Sequence, residues 1–104
     1  MNKYGAKKVT APDGSVFDSR KEYNRWCNLR LLERAGKISD LQRQIKYELI
    51  PKQAGERACN YVADFVYCQD GNLVVEDCKG FRTEGYKIKR KLMLWVHGIK
   101  VKET

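Results

Sequence analysis

Residues 60–80 read NYVADFVYCQDGNLVVEDCKG, two apolar runs joined by QDGN. Asp-Gly between β-rich runs is the strongest short-range hairpin signal, because a two-residue turn needs central residues that tolerate positive φ. With Asp70 and Gly71 as that turn, Gln69 faces Asn72 and every opposed pair has position numbers summing to 141. Asp64 then lies opposite Asp77, and Val62 opposite Lys79. One face reads Val62, Asp64, Val66, Cys68 with Leu73, Val75, Asp77, Lys79. Glu76 points to the other face and reads as structural. Two carboxylates and an ammonium therefore gather at one end of an apolar surface. Like charges directly opposed in a sheet destabilise it by roughly 0.2–1 kcal/mol when exposed and by more when desolvated, so something must compensate.

Two compensations stay open at this point. Mg²⁺ takes carboxylate oxygens while keeping several waters, one of which can act as a nucleophile. Alternatively, Lys79 simply pairs with the acids in a partly exposed salt bridge.

The remainder of the chain limits the choices. With 104 residues it has length for one domain and one modest core. Lys and Arg number 21 against 13 Asp and Glu, and the net charge of +8 favours a polyanionic partner, nucleic acid before an anionic membrane surface. No stretch approaches the roughly 18 apolar residues of a membrane span, and MNKYGAKKVTAPDG lacks the apolar core of a signal peptide. A cytoplasmic protein with no membrane partner is expected. Cys27, Cys59, Cys68 and Cys78 form no CxxC pair and have only His97 to assist them, so free thiols are expected rather than a zinc site. The single histidine also excludes hydrolytic sites built on two imidazoles, which leaves carboxylates and a metal.

Outward from the hairpin, the pattern predicts an α, β, β, β, α, β order. Residues to about Ala11 are basic and unpatterned and read as a mobile arm; PDG at 12–14 is a turn, after which Val16 and Phe17 lead into a helix. That helix, about 20–35, has Ser19 or Asp18 as N-cap, an apolar pattern of Tyr23, Trp26, Cys27, Leu29, Leu31 and Leu32, and Gly36 as stop. A turn around Ser39 and Asp40 precedes QIKYELIP, which alternates as a half-buried strand up to Pro51. KQAGERA is a loop. Beyond Thr83, Ile88, Leu92, Trp95 and Val96 mark the packing face of a second helix closed by Gly98, and IKVK offers a last strand. Trp26 and Trp95 fit helix-to-sheet core positions. Because both faces of the hairpin carry apolar groups, the sheet is expected to have a helix on each side.

An Asp late in one strand followed by Asp77-Cys78-Lys79 in the next, within this element order, resembles the core of the PD-(D/E)XK nuclease superfamily. More narrowly, FDSRKE, ISDLQRQIKYELIP, YVADFVY, VVEDCKGFRT and YKIKRKL resemble a family of small phage and prophage proteins assigned to that superfamily. Ala63 departs from the proline of the superfamily name, at a position that carries no ligand. The resemblance implies an α/β (α+β) fold with a restriction-endonuclease-like αβββαβ core, a mixed sheet flanked by a helix on each face. It implies a Mg²⁺-dependent endonuclease acting on DNA, with Mn²⁺ as a substitute ion, in phage DNA processing or recombination, branched DNA included. Asp64 and Asp77 match the metal-binding acids, Lys79 the catalytic lysine, the main-chain carbonyl of Cys78 a further ligand, and Glu22 the acid of the first helix. A capping box, Ser19-Arg20-Lys21-Glu22, competes for Glu22, yet Glu22, Trp26 and Leu29 share one helical face. Gln44 reads as a strand-edge glutamine, with contact to a phosphate or water as its alternative.

Arg82, Lys87, Lys89, Arg90 and Lys91 follow directly after the proposed site. Such runs are usually solvated helix faces, but their place and the positive charge of the chain favour phosphate contacts. Phe81 and Tyr86 interleave them, as core packing or as base-stacking rings. A non-catalytic nucleic-acid- or partner-binding protein and an RNA-directed nuclease remain the rival readings. One site per chain cuts one strand, so double-strand cleavage requires a homodimer or two visits.

Overall fold

A computed structural model describes residues 7–79 and 81–104. Asp70 and Gly71 adopt φ of 52° and 79°, the paired left-handed conformations of a two-residue turn. The turn sets the register of β4 (Cys59–Gln69) against β5 (Asn72–Asp77), from Gln69 opposite Asn72 to Phe65 opposite Glu76, as the sequence predicts. On the other side of β4 runs β3 (Ser39–Ile50), antiparallel, and on the far side of β5 runs β6 (Lys102–Glu103), parallel. The sheet is therefore mixed, in the order β3-β4-β5-β6.

Two helices cover it. In α1 (Arg20–Arg34) the Ser19 hydroxyl accepts from the Glu22 N–H at 3.1 Å, and in α2 (Glu84–His97) the Thr83 hydroxyl caps Tyr86 while Gly98 closes the helix with φ of 67°. Leu29 and Ile38 pack with Phe65 and Tyr67 on the α1 face, joined by Trp26, whose ring stacks on Phe65 at 6.0 Å. On the α2 face, Tyr86 and Met93 pack with Leu49, Tyr61, Ala63, Val66, Val75 and Val101. The chain is thus an α+β fold with a helix on each face of a mixed sheet.

Four expectations need correction. Part of the supposed arm is ordered: β1 (Val9–Thr10) pairs with β2 (Val16–Phe17) around the PDG turn, and Phe17 is fully buried; residues 1–6 of the arm lie outside the described residues. The ladder of β3 starts at Ser39 rather than Gln44, because Asp40 at φ of 56° and a register shift before Gln42 let the chain kink into the sheet. The closing strand is shorter than IKVK and displaced to Lys102–Glu103. Finally, α2 packs through Tyr86 and Met93, while Trp95 is 86% exposed and Ile88 and Val96 face outward. The run LMLWV is apolar almost all round, so periodicity did not select the stripe; Tyr86 did, by burying its ring near Tyr61 and donating its hydroxyl to Glu103 at 2.8 Å. Among the described residues no helix is long and apolar enough to cross a membrane.

Candidate active site

One register step beyond the last ladder pair brings Asp64 opposite Asp77, where the two strands part. The Cys78 N–H, released from the ladder, donates to Asp64 Oδ2 at 2.8 Å. Asp77 is 1% exposed; its Oδ2 accepts from the Tyr61 hydroxyl at 2.5 Å, and its Oδ1 is buried without a hydrogen bond, 3.5 Å from the Lys79 ammonium. Lys79 stands at the surface over the ring of Tyr86, at 5.1 Å.

Burial pushes the Asp64 carboxyl up from 3.8 to about 7, and the nearby charges of Asp77 and Glu22 add to the shift against opposing contributions from the Cys78 N–H and Lys79. Near neutral pH a proton is therefore retained on Asp64 for a large part of the time. Burial also raises the Tyr61 and Tyr86 phenols, with the Asp77 charge acting on both, so both remain neutral hydrogen-bond donors.

The pleat is interrupted at this point. Tyr61 and Ala63 pack under α2, whereas Phe65 and Tyr67 pack under α1, so strict alternation fails across Asp64. The ladder with β3 passes from Arg43 opposite Phe65 to Ile45 opposite Ala63 and skips Gln44, which has a left-handed φ of 55°. Val62 is accordingly an exposed residue and no ladder partner of Lys79, contrary to the simple alternation. The same interruption brings Tyr61 beneath Asp77, a contact that alternation hid by assigning odd-numbered residues to the other face.

Glu22 lies 3% exposed at the start of α1, its carboxyl raised by burial and then by Asp18, with Arg43 opposing. Its Oε1 is 3.5 Å from the Arg43 guanidinium, which sits 3.8 Å above the ring of Phe17 and donates to the Val16 carbonyl at 3.0 Å. Ser19 supplies its half of the capping box, while the Glu22 carboxylate serves Arg43 and the acidic centre. Arg43 had no signal in the sequence, since it falls there as one more cation just before the predicted strand.

The proposed phosphate-binding run is less available than its composition suggests. Arg82 and Arg90 pair with Glu103 at 3.0 and 3.1 Å, and Lys87 pairs with Glu84 at 3.2 Å. Lys89 and Lys91 form no ion pair among the described residues. Tyr86 is buried, and Phe81 is exposed. The four thiols are free, and burial holds Cys78 above the ordinary thiol range.

Hard carboxylate oxygens, one of them buried and unbonded, suit a divalent cation such as Mg²⁺, which uses one or two carboxylates and retains water. Among the described residues no three Cys, His, Asp or Glu side chains form a preassembled cage, so the fit is to an Asp64–Asp77 pair.

Together the fold and the site define an α+β domain with a frustrated acidic pair beneath a surface lysine. The chain belongs to the family described as Protein of unknown function (DUF1064), which matches residues 1–102. Neither the curated proteins nor the solved structures include a match to it.

Proposed function

We propose that this chain is a metal-dependent endonuclease that hydrolyses phosphodiester bonds in DNA, with Mg²⁺ as its working ion and Mn²⁺ as a substitute. The observation that carries this reading is the buried Asp64–Asp77 pair, in which Asp64 is pushed to about 7 and an Asp77 oxygen accepts no hydrogen bond. A structural carboxylate pair would gain nothing from such a shortage of positive charge; a cation-binding pair would. When bound, the ion supplies Lewis acidity at the phosphate and lowers the pKa of water. Asp64 and Asp77 would hold it, with the Cys78 main-chain carbonyl as a further oxygen.

The protein groups then divide the work. Lys79 presents its ammonium at the mouth of the site, where it orients the attacking water and stabilises negative charge developing on the phosphate. Tyr61 fixes one oxygen of Asp77 and so sets the direction of the other. Glu22, oriented by Arg43, deepens the negative potential that attracts the ion. The net charge of +8 brings the polyanion to the surface. We place this activity in a phage- or prophage-encoded protein of the bacterial cytoplasm, acting on DNA during processing or recombination.

The test is cleavage of linear, nicked, branched and single-stranded DNA, and of RNA, in Mg²⁺, Mn²⁺ or EDTA. At least one DNA form is cut in Mg²⁺ and none in EDTA. Lys79→Ala lowers the rate by about 10²–10³-fold with little change in affinity. Cleavage of RNA alone would replace the substrate, and binding without cleavage would identify a non-catalytic nucleic-acid-binding protein.

A further inference from the structure

Two cations available for phosphate, Arg20 and Lys21, lie on α1, away from the run that sequence singled out, in which Lys89 and Lys91 alone are free of ion pairs among the described residues. Arg20, Lys21, Asn24, Arg25 and Asn28 recur on one side of the helix and, with Cys78 and Thr104, line a concavity of about 490 Å³. That volume falls in the range of small-ligand sites, roughly 300–1,000 Å³. No acidic side chain lines it. Arg25 is committed: its guanidinium donates to both oxygens of buried Glu76 at 2.8 and 2.6 Å. Arg20 and Lys21 are exposed and enter no ion pair among the described residues. Lys21 donates to the main-chain carbonyl of Lys79 at 3.3 Å, so the groove adjoins the proposed catalytic lysine through a hydrogen bond. The Arg20 guanidinium lies 5.7 Å from the Tyr23 ring, an aromatic support that leaves its donors free for an anion.

In α2 and just before it, by contrast, three cations spend their charge on Glu103 and Glu84. A phosphate approaching Arg82, Lys87 or Arg90 must compete with a carboxylate already in place. At Arg20 and Lys21 it competes with water and one carbonyl.

We propose that this groove binds the DNA backbone next to the cleaved bond, with Arg20 and Lys21 on two flanking phosphates, one each, and the Asn24 and Asn28 amides donating to sugar-phosphate oxygens. The inference rests on the nuclease reading and names the path of its substrate. Contacts of this kind position the strand and carry no base information.

The test uses full-length chain and a duplex oligonucleotide, with Ca²⁺ in place of Mg²⁺, and measures binding by fluorescence anisotropy at several salt concentrations. The double variant Arg20→Gln/Lys21→Gln should bind about tenfold or more weakly, and the magnitude of its slope of log K against log salt should fall by about 1.8, or about 0.9 per lost phosphate contact. The charge-matched control Lys52→Gln/Lys100→Gln, exposed and remote in sequence, should keep the wild-type slope, and circular dichroism should show all three proteins folded. A wild-type slope in the groove variant would overturn the groove, whether or not the chain cleaves. Loss of slope in the groove variant, in a wild type that binds DNA but never cuts it, would support the groove and overturn the nuclease chemistry. Weakening confined to Lys89→Gln/Lys91→Gln would return the backbone path to α2.

Discussion

Glu76 and Asp77 are consecutive in β5, both almost wholly buried, and face opposite sides of the sheet. Glu76 receives both arms of the Arg25 guanidinium and the Tyr67 hydroxyl; although burial alone would raise its pKa, these bonds lower it below 4.5. Asp77 receives one phenol, lies 3.5 Å from an ammonium, and adds its charge to the burial that raises its neighbour Asp64 to about 7. Equal burial has opposite meanings here. A carboxylate with its full set of donors is a fastening between α1 and the sheet. One left short of positive charge is, on the function proposed here, the place for a cation.

The largest effect expected from this contrast is on activity. Asp77→Asn should reduce cleavage by about 10³-fold or more, to background, and the metal-free melting temperature should stay level or rise as repulsion with Asp64 is relieved. Wild-type turnover in metal-replete Asp77→Asn would break the comparison outright.

The opposite side should respond in stability. Arg25→Ala leaves the Glu76 charge buried and unpaired, and denaturant unfolding should show a loss of about 3–5 kcal/mol. A much smaller loss would mean that Glu76 is protonated or hydrated and resembles Asp77 after all.

The two carboxylates should also give stability opposite dependences on pH. Asp64 keeps a proton in the folded chain that the unfolded chain releases, so metal-free stability falls as pH rises from about 4 to about 7, by at most about 1.4 kcal/mol per pH unit. For Glu76 the unfolded chain binds the proton more readily, and stability falls as pH drops below 4.5. Unfolding measured across this range should lose its neutral-side decline in Asp64→Asn, and added Mg²⁺ should flatten the decline in the wild type.

The smallest effects test the phenols. Tyr67→Phe should cost about 1.5 kcal/mol with no change in metal affinity. Tyr61→Phe should cost a similar amount and also shift the Mg²⁺ concentration needed for half-maximal cleavage, because it releases an oxygen of Asp77.

Much of the fold was legible because it rests on local chemistry. The Asp70-Gly71 turn determines the hairpin register, and with it the meeting of Asp64 and Asp77; Ser19 and Gly98 mark helix ends by the backbone groups they satisfy or the φ they permit. Apolar residues on both strand faces required cover on both sides, and two helices supply it. What only the tertiary structure decided was the choice among partners far apart in sequence. Trp95 and Met93 both suit a packing stripe, and the sheet took Met93 because Tyr86 had to reach Glu103. Arg25 and Arg20 are alike in sequence, yet one is committed to Glu76 and the other faces an open groove. The break in alternation at Asp64 brought Tyr61 to Asp77, a contact that no local pattern specifies, since it depends on how β3 passes a residue across from the acid. Turns, caps and registers follow from the energies of neighbouring residues; which charges end up satisfied follows from packing the whole chain, and that difference separates Glu76 from Asp77.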